Sequence, residues 1–231
     1  MEQRPSLMQK LWKTARGPVY FVLFLWLLLL IDYITGRHMG TLGVLPRRLS
    51  GLKGILFSPL IHGSAGHLFN NSIPLLISSM VIIHFYNRIA APVIALIWLL
   101  TGFLVWIFAK PAYHIGASGL VYGMVSFIFW TGLFNQDRRS IVLALVMLFL
   151  YGGMFIGILP DKPGVSWESH LIGGLVGIFT AFAFRIPRTR EEWPEETTIP
   201  ERPFFPENTF SRDSPHQSSD DHDDYWTSHR T

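Results

Sequence analysis

The chain has 231 residues, 49% of them hydrophobic and only 15% charged, with a mean hydropathy of +0.32. A soluble domain carries about a quarter charged residues, so an ordinary water-soluble globule is excluded. The absence of cysteine excludes disulfides and thiolate metal sites, and the net charge of +3 with a pI near 9.3 reflects residues flanking apolar runs, which gives no reason to infer a nucleic-acid partner.

A helix crosses about 30 Å of hydrocarbon at about 1.5 Å per residue, so a span needs about 20 mostly apolar residues. Residues 1–18 form a basic lead-in carrying Lys10, Lys13 and Arg16, and the first apolar window follows at 19–34. Positive charge before a first span places the N-terminus in the cytoplasm. The apolar run continues too far for a signal peptide and lacks a small-residue cleavage pattern. Residues 36–66 mix apolar and basic side chains with Gly and Pro. They read as a loop partly embedded at the outer interface, with a short amphipathic helix expected around 47–57.

Five further windows follow at 67–86, 89–109, 116–134, 141–159 and 169–186. The links between them are short, which packs sequential helices as neighbours. The expected fold is therefore all-α: a polytopic, six-transmembrane-helix bundle over 19–186, set in the plasma membrane. Arg88, Arg138, Arg139, Arg185, Arg188 and Arg190 then fall on the cytoplasmic side. Arg47, Arg48 and Lys53 are the exception, on a connection long enough to fold outside. From Pro187 onward Pro, Glu, Ser and Asp dominate, so 187–231 is expected to be a disordered, solvated cytoplasmic tail, a reading favoured over docking through its Phe204-Phe205 and Tyr225-Trp226 pairs.

Gly116-Ala117-Ser118-Gly119 opens the fourth window and His170 the sixth. Both windows run from outside to inside in this topology, so the hydroxyl and the imidazole share one shallow depth on one side. Gly119 with Gly123, and Gly173 with Gly177, form small-xxx-small pairs that let two backbones approach closely in lipid. His170 shares a helical face with Gly173 and Gly177. Tyr122, four residues after Ser118, lies one turn below it, where its ring can stack on His170. No acidic residue lies inside a span at this site: Asp32 ends the first span, Asp161 is in the last outer loop, and Glu168 points away from the His170 face. A Ser–His dyad therefore fits better than a triad.

His67 and Asn71 are four residues apart and enter the second span at the same depth. Polar groups in a span tend to mark function, and two such donors suit an oxyanion hole. The Ser118 N–H, at a helix start, adds a third donor. Helix–helix hydrogen bonding is the alternative, and Asn70 competes with Asn71 for the role. His38, His62 and His114 read as loop residues, His62 lining an entrance, and His84 lies at the cytoplasmic end of its span.

Taken together these residues resemble the rhomboid family of intramembrane serine proteases, over about residues 15–186. Its G-x-S-G nucleophile motif is matched by Gly116 to Gly119, its Tyr four residues on by Tyr122, and its H-x-x-G-x-x-x-G by His170, Gly173 and Gly177. Its H-x-x-x-N falls on His67 and Asn71, with the preceding family His on His62. The resemblance implies an endopeptidase that cleaves transmembrane segments of membrane proteins through an acyl-enzyme, with no metal or organic cofactor. Its partners would be transmembrane protein substrates and the lipid bilayer. The Trp-Arg pair that many members carry in the first loop is missing, and Trp167-Glu168-Ser169 precedes the histidine instead of the usual Ala-containing segment. A non-catalytic rhomboid-like protein that binds membrane clients or serves quality control is the rival reading.

Overall fold

The computed structural model describes residues 6–135, 138–152, 157–159 and 166–185. The tail at 187–231, together with Asp161, Arg188 and Arg190, lies outside the described residues. Those described form seven α-helices: α1 Leu7–Thr35, α2 Lys53–Phe57, α3 Ala65–Phe85, α4 Ala90–Phe108, α5 Ser118–Asn135, α6 Arg138–Tyr151 and α7 Trp167–Ala183. Each of the six apolar windows overlaps one of them, the fifth, read over 141–159, only as far as Tyr151, and α2 occupies the first loop. Within α1, the stretch Trp12–Thr35 is long and apolar enough to cross a membrane, as are the whole of α3, α4 and α5. The other two, α6 with 14 residues and α7 with 17, are apolar but shorter.

Local chemistry sets the ends. Ser6 and Gln9 form a reciprocal capping box, so α1 starts well ahead of its apolar run. It stops at Gly36, whose φ of 60° lets its N–H reach back to the Asp32 carbonyl. Ser64 caps α3 by accepting from the His67 N–H at 3.1 Å. Within the spans, the Ser72, Ser78 and Thr180 hydroxyls each donate to the carbonyl four residues earlier. That satisfies polar atoms which lipid would leave stranded.

The most enclosed of these helices is α5. Its neighbours are α3, α4, α6 and α7, and its seam with α7 is the broadest helix pairing. Glycine makes that seam. A Cβ at Gly173 would collide with the Gly119 carbonyl, one at Gly177 with the Gly123 carbonyl, and one at Gly123 would sit 3.2 Å from the Gly173 carbonyl oxygen. Helices in lipid gain nothing from hydrophobic transfer between themselves, so such backbone-to-backbone contact supplies the dispersion that holds them. Phe127, Met124 and Ile128 of α5, with Ile97, Leu68 and Ile82 from α4 and α3, fill the centre of the core.

The first loop departs from one continuous amphipathic helix over 47–57. Only Lys53–Phe57 is α-helical, between 3₁₀ turns at Leu49–Gly51 and Ser58–Leu60. Gly51 and Gly54 press against the backbone of Leu45 and of Gly43–Val44, and Arg47 has φ 57°. These contacts fold the loop on itself. It is tied to the end of α4 by the Arg47 guanidinium, which donates to the Ile107 and Ala109 carbonyls at 3.1 and 2.8 Å. The Trp106 indole donates in return to the Arg48 carbonyl at 2.9 Å. A cation on the last carbonyls of a helix also complements its dipole.

Candidate active site

The site gathers where the 58–64 segment, the start of α3, the start of α5 and the start of α7 meet. Gly116 makes the approach to Ser118 possible. Its φ is 106°, a conformation L side chains rarely adopt, and a Cβ there would lie 2.7 Å from both Cε1 and Nε2 of His67. The Gly116 N–H donates to the Ser58 carbonyl at 2.9 Å. One residue on, the Ala117 N–H donates to His62 Nε2 at 3.2 Å. Ser118 then begins α5, so its own N–H has no carbonyl four residues back to bond.

His62 and His67 meet edge to face with centroids 5.1 Å apart. His62 belongs to the loop, as read from the sequence, yet it is only 3% exposed. Burial, reinforced by the charge of His67, lowers its pKa to about 4. The neutral ring therefore offers a lone pair to Ala117. Asn71, on the same face of α3 as His67, is buried, and its Nδ2 has no hydrogen-bond partner among the described residues. That amide would lie 3.7 Å from a Cβ at Gly116. Asn70 is exposed. Helix rotation therefore separates the two asparagines that spacing leaves as competitors.

His170 is buried in the first turn of α7. Its ring stacks on Tyr122 with centroids 4.3 Å apart and planes 7° from parallel. Its Nδ1 lies 2.8 Å from the Gly157 carbonyl oxygen. A carbonyl can only accept, so Nδ1 carries the proton and Nε2 is left as the unprotonated nitrogen of the neutral ring. The Ser118 hydroxyl and the His170 ring make no direct hydrogen bond to each other. They share a wall: Gly119, next to Ser118, faces the Ser169 carbonyl, where a Cβ would sit 3.1 Å away. Among the described residues no three His, Asp or Glu side chains gather to hold a metal ion.

The family model of the rhomboid domain matches residues 50–187. The chain belongs to the rhomboid family. The resemblance read from its motifs is thereby borne out, although the matched region begins inside the first loop and omits α1. This rhomboid is 36% identical over 179 residues to uncharacterized proteins of Mycobacterium tuberculosis and Mycobacterium bovis, covering 74% of its own chain and 75% of theirs. It is 32% identical over 179 residues to an uncharacterized protein of Mycobacterium leprae, covering 71% of that chain. Family and apolar helices together make it an integral membrane protein.

Two roles at this candidate site have no motif in the sequence, although His62 itself reads there as a loop histidine lining an entrance. One is Gly157, whose contribution is a carbonyl and whose missing side chain makes room for the Tyr122 hydroxyl and for His170 Nδ1, 3.3 Å from a Cβ placed there. The only sequence signal is a glycine in an apolar run. The other is His62 as an acceptor for the Ala117 N–H, signalled by its burial-prone place between Leu60-Ile61 and the α3 cap.

Proposed function

We propose that this rhomboid is an intramembrane serine endopeptidase in which Ser118 is the nucleophile and His170 its base. The observation that carries the reading is the His170 ring itself. Clamped between Tyr122 and the Gly157 carbonyl, it has Nε2 left unprotonated, and its helix shares a glycine seam with the helix that Ser118 begins. A carbonyl does here what a carboxylate does in a triad, fixing tautomer and orientation.

In the reaction, Nε2 takes the Ser118 proton as Oγ attacks the scissile carbonyl carbon. The oxyanion so formed is held by the Asn71 Nδ2 and the His67 ring N–H, which lie beside the Gly116 turn, and by the Ser118 amide. Collapse breaks the C–N bond, His170 returns the proton to the leaving amine, and an acyl ester remains on Ser118. His170 then takes a proton from water as its oxygen attacks the ester carbon; collapse breaks the C–Oγ bond, releases the new carboxyl end, and His170 returns the proton to Ser118 Oγ. Serine–histidine bonds in such dyads often close only when substrate seats. Gly119, Gly123, Gly173 and Gly177 serve by packing, holding the two bearing helices together.

The substrates are single-pass membrane proteins whose helix unwinds near the scissile bond. The site lies toward the outer face of the plasma membrane, with both termini in the cytoplasm, as the basic residues Lys13, Arg16 and Arg88 favour. The test is reconstitution with a model transmembrane substrate, comparing wild type with Ser118→Ala and His170→Ala. Loss of cleavage in both variants is expected. Equal turnover by all three removes the enzyme reading, and client binding by wild type without any cleavage favours the non-catalytic one.

A further inference from the structure

Outside the dyad, a chain of polar groups ties three separate segments together. His114 lies in the short link between α4 and α5, four residues before Ser118, and is only 4% exposed. Its backbone exchanges two hydrogen bonds with Val44 of the first loop, at 3.0 and 2.9 Å. Its ring reaches the other way. Nε2 lies 3.0 Å from the Lys110 carbonyl, and Nδ1 is hydrogen-bonded to the Ser166 hydroxyl. The Ser166 and Ser169 hydroxyls are in turn 2.6 Å apart.

The direction of this chain follows from its ends. The Lys110 oxygen can only accept, so Nε2 donates to it. In the neutral ring Nδ1 must then accept, and the Ser166 hydroxyl supplies that proton. Ser166 Oγ is thereby left to accept from Ser169.

Ser166 is also the N-cap of α7, yet its side chain makes no bond to the helix amides. A serine at this position ordinarily turns its oxygen onto the first-turn N–H groups. Here that hydroxyl is diverted to His114. Its backbone carbonyl, meanwhile, accepts from the N–H groups of Ser169 and His170 at 3.1 and 3.3 Å. The residue held by His114 therefore holds the His170 backbone, while His114 itself leads directly into the turn before Ser118. A second tie runs alongside, from Lys110 Nζ to Glu168 at 3.8 Å.

We propose that His114 is a positioning residue, which through Ser166 sets the distance between the Ser118 turn and His170. The proposal rests on the protease reading above for its catalytic consequence, but not for its structural one. Displacing reacting groups by about 1 Å costs about 100-fold in rate, so loss of the tie should lower kcat with little change in KM.

The test uses the full chain in liposomes with a single-pass model substrate. It measures kcat and KM, the rate at which a fluorophosphonate labels Ser118, and amide hydrogen exchange in the first turn of α7. His114→Ala and Ser166→Ala should each lower kcat and labelling about 10- to 100-fold, with KM within about twofold, and speed exchange at Ser169 and His170. The double variant should be no worse than either single one. Asn places an amide oxygen where Nδ1 stands, whereas Gln replaces only Nε2. His114→Asn should therefore restore kcat and protection, and His114→Gln should not. Wild-type exchange in His114→Ala and Ser166→Ala overturns the proposal, as does rescue by Gln rather than Asn. If His114→Ala does not fold, Ser166→Ala and the Asn and Gln variants decide the matter alone. Should wild type neither cleave nor label, the protease reading fails, and the exchange data still decide whether His114 holds α7.

Discussion

Replacing Asn71 by leucine separates two accounts of a polar residue inside a span, because they predict opposite signs for stability. The Asn71 Nδ2 is buried and has no partner among the described residues, so the folded protein bears its desolvation without return. A buried donor left unsatisfied costs about 1–3 kcal/mol. Leucine is close in volume and brings no polar atom, so Asn71→Leu should leave thermal stability in detergent unchanged or raise it by up to that amount. Activity should move the other way. Removing one donor from an oxyanion hole costs about 3–4 kcal/mol of transition-state stabilisation, or about 100- to 1000-fold in kcat. The assay pairs unfolding followed by tryptophan fluorescence with cleavage of a reconstituted transmembrane substrate. If Asn71 instead glues helices together, Asn71→Leu should unfold more easily and cleave normally per folded molecule. That pair of results would refute the oxyanion assignment. Asn70→Leu, at the exposed neighbour, should change neither quantity.

Three other outcomes follow from the same geometry. Gly173→Ala places a methyl group on the Gly119 carbonyl, so the α5–α7 seam must open; a loss of about 1–3 kcal/mol in thermal or denaturant unfolding is expected, with cleavage abolished, whereas Gly174→Ala meets open space and should be neutral. Tyr122→Phe keeps the ring that stacks on His170 while Tyr122→Leu removes it; a stacked pair is worth about 0.5–1.5 kcal/mol, so the leucine variant alone should lose about tenfold in labelling of Ser118 by a fluorophosphonate. His62 stays neutral in the fold down to about pH 4, whereas in the unfolded chain it takes up a proton below about pH 6.5. The unfolded state therefore binds more protons in that window, and stability should fall by about 3 kcal/mol as pH drops from 6.5 to 4, then level off. His62→Gln, which keeps an acceptor for the Ala117 N–H and cannot titrate, should flatten that part of the pH–stability curve.

The spans were legible from the sequence because a bilayer imposes length and hydropathy on whatever crosses it, and neither depends on which helix lies beside which. The glycines at 119, 123, 173 and 177 were equally legible, since close approach in lipid demands missing side chains wherever it occurs. The start of α1 lies beyond what an apolar window can show, although Ser6 and Gln9 carry its signal, because a capping box acts ahead of the apolar run that defines the window. The first loop broke into short turns where Gly51 and Gly54 meet backbone of the same loop, contacts that have no period to detect.

Periodicity says which side chains share a helical face; it does not say toward which neighbour that face is turned. Asn70 and Asn71 were therefore indistinguishable until packing rotated one out and the other toward Gly116. The stacking of Tyr122 on His170 was legible from its spacing to Ser118, but the Gly157 half of the clamp and the tie from His114 to Ser166 belong wholly to the tertiary structure. Gly157 and Lys110 act there through carbonyl groups, which every residue possesses, so only their position in space gives them a role.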